Sequence, residues 1–154
     1  MKVVIIMGSK SDMDWSKKIA GTLDELGIDS VMRIASAHKV PQKAMDIIEE
    51  YEDEKVVYIT VAGRSNALSG FVDAQTDKPV IACPPYSSKF AGADIFSSLR
   101  MPSGVCPMVV MGTEQAGLAA AKIFGLSDEE VRERIKKYQK SNRDQIDKDD
   151  KEVR

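Results

Sequence analysis

One histidine, His38, is the only imidazole in the chain, and imidazole is the side chain that takes up and releases a proton near neutral pH without special tuning. It stands in Ser36-Ala37-His38-Lys39. A hydroxyl two residues before it and an ammonium just after it suit a phosphorylated substrate. Two further stretches carry similar chemistry. Gly8-Ser9-Lys10-Ser11-Asp12 offers two hydroxyls, a carboxylate and the free N–H groups of a helix start, a combination that favours an anion, a phosphate above all. There Asp12 could grip a ribose diol. Ala62-Gly63-Arg64-Ser65-Asn66 offers a guanidinium fork able to receive a carboxylate. Each has a plainer reading. Ser11 or Asp12 could simply cap a helix, His38 could be an ordinary loop residue, Lys39 a solvated lysine, and Arg64 one half of an intersubunit salt bridge.

Elements able to hold these loops follow from the hydrophobic pattern. Lys2–Met7 is an almost unbroken apolar run, as expected of a parallel strand buried on both faces. Trp15, Ile19, Leu23 and Leu26 recur at helical spacing and predict a first helix over Met13–Leu26, stopped at Gly27. Ile28–Ile34 reads as a second strand, with Val31 and Ile34 its core members. Pro41 opens a helix whose inner face is Ala44, Ile47, Ile48 and Tyr51. Lys55–Val61 is a third strand, rich in β-branched residues, and a short helix follows Asn66. Val80–Cys83 is a fourth strand, ended by Pro84-Pro85. Ala91–Leu99 reads as a helix and Val105–Met111 as a fifth strand, with Pro107 disturbing its start. Thr113–Phe124 is a helix of small residues, able to pack closely on the sheet or on another subunit. Ser127 with Glu130 looks like a capping box for a last helix lined by Val131, Ile135 and Tyr138.

The βα unit thus recurs about five times. This predicts an α/β fold of three layers around a central parallel sheet of about five strands, flavodoxin-like, plus a C-terminal helical extension. Residues 1–126 form the expected nucleotide-binding domain. Residues 127–154, charged and without a core of their own, form a tail that frays or packs on a neighbouring subunit. In such sheets ligands gather beyond the C-terminal strand ends. Five polar loops are expected there: Gly8–Asp12, Ser36–Lys39, Gly63–Asn66, Pro84–Ser88 and Pro102–Gly104.

Bulk properties exclude several classes. A net charge of -2 over 154 residues, with no basic patch among aromatics, does not favour nucleic acid. No apolar run reaches membrane-spanning length. The chain enters its first strand at once, leaving no room for a targeting segment. Cys83 and Cys106 lack zinc spacing and read as reduced, buried thiols of a cytoplasmic protein. A lone histidine with no acidic or thiol cluster gives no metal site. The Gly8–Asp12 turn lacks the spacing of a P-loop and the three glycines of a dinucleotide fingerprint, so neither ATP nor NAD is suggested.

Taken together and in this order, Met7-Gly8-Ser9-Lys10-Ser11-Asp12, Ser36-Ala37-His38-Lys39, Ala62-Gly63-Arg64-Ser65-Asn66 and Met101-Pro102-Ser103-Gly104 resemble the PurE family of purine biosynthesis over about Val3–Gly125. One class of that family carboxylates aminoimidazole ribonucleotide with carbon dioxide. The other is a mutase, moving a carboxyl group from the exocyclic nitrogen to ring carbon 4. Lys39 stands where the mutases usually carry arginine. Arg64-Ser65-Asn66 replaces their small Gly-Ala-Ala stretch, and Ala67 stands where they commonly have a second histidine. Cys83-Pro84-Pro85 and Ser103 also follow the carboxylase pattern. The resemblance therefore implies a freestanding, cofactor-free carboxylase, with the mutase as alternative and a non-catalytic nucleotide-phosphate binding module as a reading from another class. It implies Ser9 and Ser11 on the phosphate or ribose, Asp12 on the ribose hydroxyls, and Ser36 and His38 facing the aminoimidazole. Lys39 would help neutralise the phosphate. Gly63, Arg64 and Ser65 would line a carboxylate or carbon dioxide pocket. The family's octamers imply a homo-octamer with shared active sites.

Overall fold

A computed structural model describes the whole chain, Met1–Arg154. Five strands, β1 (Lys2–Met7), β2 (Asp29–Ile34), β3 (Val56–Val61), β4 (Val80–Ala82) and β5 (Met108–Val109), form one sheet. Its order is β2-β1-β3-β4-β5 and every pairing is parallel. The expected three-layer α/β architecture is present. Six helices connect and cover the strands: α1 (Met13–Glu25), α2 (Pro41–Glu50), α3 (Leu68–Asp73), α4 (Phe96–Leu99), α5 (Thr113–Gly125) and α6 (Glu129–Glu152).

Alternation along each strand divides the core in two. Val3, Ile5, Met7, Val57, Ile59 and Ile81 face the layer of α1, α5 and α6. Val4, Ile6, Tyr58 and Val80 face the layer of α2 and α3. Both faces of β1 and β3 are covered, which is why their sequences are apolar without interruption. α1 and α5 meet closely at Gly117, where a Cβ would lie 2.9 Å from Thr22 Cγ2 and 3.5 Å from the carbonyl oxygen of Ile19. Gly117→Val should therefore lower unfolding free energy by about 1–3 kcal/mol through overpacking. Urea unfolding followed by circular dichroism reads the change.

Several expectations are corrected at the sheet edges, where local pattern is weakest. Val31 and Ile34 are only half-buried, because β2 is an edge strand and one side of it has no neighbour. The fifth strand is two residues long rather than Val105–Met111, since Pro107 has no N–H to give a ladder. No helix runs from Ala91: Ala91 and Gly92 have φ of 48° and 79°, outside helical space. A 3-10 turn at Ala93–Ile95 leads instead into α4. The last helix is capped by Asp128, whose Oδ1 accepts the Val131 N–H at 3.0 Å, and not by Ser127, which lies one residue too early. α6 buries only Val131 and Ile135. No helix is long and apolar enough to cross a membrane.

The cysteines differ in a way their apolar neighbours in sequence do not reveal. Cys83 is buried, its Sγ 3.4 Å from both Trp15 Nε1 and the Gly112 carbonyl, and burial pushes its thiol pKa up to about 11. Cys106 is exposed, against expectation, because it lies in the irregular approach to β5. Cys83 should stay unmodified by a thiol reagent at pH 8 in the native protein, while both thiols react after unfolding in urea. Native modification of Cys83, read by mass spectrometry, would contradict that assignment.

Candidate active site

Sheet order places a crevice between β1 and β3. The chain leaves β1 toward β2 on one side, while β3 continues toward β4 on the other, so the loops after β1 and β3 diverge. Backbone bonds run on past the strand ends and hold the loops side by side. Gly8 N–H donates to Val61 O at 2.9 Å, Ala35 N–H to Met7 O at 3.0 Å, and Cys83 N–H to Thr60 O at 2.9 Å. A cavity of about 610 Å³ opens above them. Ser9, Ser11, Asp12, Ser36, His38, Lys39, Gly63, Arg64 and Ser65 all line it. Pro85, Tyr86, Ser87, Ser88 and Lys89 form its far wall.

The first wall is internally bonded. After Ser9 a 3-10 turn, Lys10–Asp12, precedes α1. Asp12 Oδ2 accepts the Ser9 N–H at 3.0 Å and the Ser9 hydroxyl at 3.2 Å, while Ser9 Oγ and Ser11 Oγ lie 2.6 Å apart. Burial raises the Asp12 carboxyl pKa above its ordinary value, against the two Ser9 bonds that favour the charged form. Asp12 makes no side-chain cap bond to the first turn of α1; its Oδ2 instead reaches back to Ser9 and organises the turn before the helix. Gly8 is not in left-handed space, and a Cβ there would meet only ordinary contacts, Ala62 Cβ at 3.6 Å being the nearest. What Gly8 contributes is a bare floor.

The second wall is the turn after β2. Ser36 O accepts N–H groups of both Lys39 and Val40, and Ser36 Oγ accepts the Lys39 N–H at 3.3 Å. That bond uses the hydroxyl's lone pair and leaves its hydrogen free for a ligand. His38 and Lys39 are exposed at the mouth of the cavity.

In the third wall Arg64 adopts φ 57°, left-handed space that non-glycine residues seldom occupy. Asn66, at the end of this loop, is buried and bonded to protein: Nδ2 donates to Ser98 Oγ at 2.9 Å, and Oδ1 accepts the Ser69 N–H at 3.2 Å.

One expected loop is elsewhere. Pro102–Gly104 does not line the cavity. It enters β5 rather than leaving it, and Met101 packs beside α3, its Sδ 2.8 Å from where a Gly70 Cβ would be. Lys89 was not singled out by sequence reasoning, because nothing local ties it to a strand end. Trp15 is half-buried rather than a core residue, and its ring stands edge-on to Tyr86 with centroids 5.3 Å apart. No group of three or more His, Cys, Asp or Glu side chains is placed to hold a metal ion.

A cavity walled by hydroxyls, a carboxylate, one imidazole and three cations can take a small phosphorylated molecule and exchange a proton with it. Comparison with known proteins agrees with that chemistry. A family model described as AIR carboxylase matches residues 2–145. A phosphoribosylaminoimidazole carboxylase of Archaeoglobus fulgidus is 68% identical over 154 residues, covering 100% of this chain and 86% of that protein. One from Treponema denticola is 50% identical, covering 99% and 97%. The crystal structure of Treponema denticola PurE superposes with a TM-score of 0.97 at 50% identity, over 99% of this chain and 98% of that one. A bifunctional Drosophila melanogaster carboxylase/synthetase is 41% identical across 99% of this chain, which corresponds to 36% of its own length. With the family model spanning residues 2–145 and two relatives at least 50% identical across nearly all of this chain, the chain belongs to the PurE family of AIR carboxylases.

Proposed function

We propose that the chain is a phosphoribosylaminoimidazole carboxylase, a carboxy-lyase of purine biosynthesis. It joins carbon dioxide to carbon 4 of 5-aminoimidazole ribonucleotide and catalyses the reverse reaction, without metal or cofactor. The observation that carries this reading is the meeting of all nine candidate residues around one cavity at the β1–β3 crevice.

In this reading the Ser9, Ser11 and Asp12 wall holds the phosphoribosyl group, with Asp12 on the ribose hydroxyls and Lys39 neutralising phosphate. Ser36 and His38 face the aminoimidazole. Gly63, Arg64 and Ser65 receive carbon dioxide and then the carboxylate. The substrate's ring is an electron-rich enamine, so carbon 4 can itself attack carbon dioxide. A carbon–carbon bond forms, one C=O π pair moves onto oxygen, and positive charge is left on the ring. The protein's contribution is to hold the two reactants in register and to stabilise the new carboxylate. His38 then takes the proton from the tetrahedral carbon 4, and the C–H electron pair restores the aromatic ring. In reverse the same imidazole protonates carbon 4 before carbon dioxide leaves.

Purified protein given aminoimidazole ribonucleotide and bicarbonate should turn over faster than with the N-carboxylated isomer. Faster use of the isomer at low bicarbonate would assign the mutase reaction instead.

The same reading makes the chain a cytoplasmic homo-octamer, with residues 127–154 packing on a neighbour. Support comes from the exposed α6 and from Tyr86, Phe90, Phe96, Leu99, Met108 and Met111, large apolar side chains left exposed around β4 and β5. Light scattering should return about eight times the 16.9 kDa chain mass. A monomeric mass would remove this part of the reading.

A further inference from the structure

The Gly63–Asn66 loop owes its shape to residues some thirty positions away that never reach the cavity. Asp94 Oδ2 accepts the Arg64 N–H at 3.2 Å. Ser97 Oγ accepts the Asn66 N–H at 2.9 Å, and its single hydrogen faces both Arg64 O at 2.9 Å and Asp94 O at 2.7 Å. Ser98 Oγ, buried, accepts Asn66 Nδ2–H at 2.9 Å. None of Asp94, Ser97 or Ser98 lines the main cavity.

These bonds sort the loop's N–H groups into two sets. Those of Arg64 and Asn66 are tied to the 94–98 segment. Those of Gly63 and Ser65, the two residues between and beside them, donate to no backbone or side-chain acceptor. Both belong to residues that line the cavity. The left-handed φ of 57° at Arg64 sets the Arg64 and Ser65 N–H groups in different directions, because Arg64 joins the two peptide planes that carry them. A non-glycine residue does not hold that conformation unaided. Asp94 and Ser97 grip the peptide groups on either side of Arg64, and so hold the turn open toward the cavity.

We propose that Asp94 and Ser97 are positioning residues for carboxylation. They clamp Arg64 in left-handed space so that the free Gly63 and Ser65 N–H groups face the site where the carboxylate forms. This rests on the proposed carboxylase reading for its chemical meaning, though not for the existence of the clamp. It also makes a negative charge part of the scaffold behind a carboxylate pocket. The Asp94 oxygen is bonded to the Arg64 N–H, and Asp94 itself lines a second, smaller cavity that shares Pro85 and Tyr86 with the main one.

The test uses the whole protein with Ser97→Ala, Ser97→Thr and Asp94→Ala, and two kinds of readout. Hydrogen–deuterium exchange of peptides covering residues 62–67 should be about tenfold faster in Ser97→Ala and Asp94→Ala, with the β3 amides unchanged. In kinetics, kcat at saturating nucleotide should fall about tenfold and the bicarbonate requirement should rise, while KM for the nucleotide stays within about twofold, since that substrate is held by the other walls. Ser97→Thr keeps the hydroxyl and should restore both readouts. Wild-type exchange in both alanine variants overturns the clamp. A parallel rise in KM for nucleotide and bicarbonate, together with loss of thermal stability, overturns the positioning role in favour of a purely structural one. If the wild-type protein shows no carboxylation, the function assigned to the site fails, and the exchange measurement still decides whether the clamp exists.

Discussion

His38→Asn should lower kcat for carboxylation by a factor on the order of 10² to 10⁴, the range general acid–base catalysis supplies. Asparagine matches the imidazole in reach and can still donate a hydrogen bond, yet it cannot carry a proton between substrate and water. The proposed chemistry needs that proton moved in both directions: off carbon 4 after carboxylation, onto it before decarboxylation. The cavity contains no second imidazole or thiol to substitute. Folding should be unaffected, because His38 is exposed and belongs to neither core cluster. Circular dichroism and oligomeric mass should match wild type, and calorimetric affinity for the nucleotide should remain within a few-fold. Near-normal turnover in this variant would remove His38 from the mechanism.

Asp12→Asn should separate affinity from stability, moving them in opposite directions. The proposed contact with the ribose hydroxyls is charge-assisted, and losing that charge should raise KM for the nucleotide about 10- to 100-fold. Stability goes the other way. Burial holds the Asp12 carboxyl pKa above its ordinary value. A group with a raised folded pKa binds its proton more tightly when folded. Its favourable contribution is therefore complete in acid, below the unfolded value, and is lost as pH rises through the folded value. At neutral pH the ionised carboxylate is a net burden on the fold. Asparagine removes the charge and keeps an oxygen to accept the Ser9 N–H. The melting temperature of the variant should exceed that of wild type near pH 7, with the gap closing as pH falls through the carboxylate range. A lower melting temperature at every pH would mean that the Ser9 bonds to the charged form outweigh burial.

Both substitutions fall on residues visible in the sequence, and the reason lies in how the fold is encoded. A strand buried on both faces must be apolar throughout, so β1 and β3 could be read from Lys2–Met7 and Lys55–Val61 alone. The polar break after each such strand marks its C-terminal end, and a parallel sheet gathers those ends on one side. Hence the Gly8–Asp12, Ser36–Lys39 and Gly63–Ser65 loops could be expected together before any coordinates. Their chemistry is a property of residue type, and residue type is local. The PurE resemblance rested on these same loops together with Met101–Gly104.

What the sequence left open are quantities fixed between distant residues. Edge position, which decides that Val31 and Ile34 are half-buried, depends on which strands lack neighbours. The loop at Pro102–Gly104 has the right composition for the site but enters a strand instead of leaving one, so it lies away from the cavity. Asp128 takes the cap expected of Ser127 through a one-residue difference in where α6 begins. Arg64 gives no local sign of left-handed geometry. Its conformation comes from Asp94 and Ser97, thirty and thirty-three residues further along. The sequence by itself determined the strands, their polar ends and the groups able to bind and to carry a proton, because each of these follows from neighbouring residues. Only the tertiary structure decided which loops share a wall and which way their N–H groups point, because those follow from contacts that no local pattern contains.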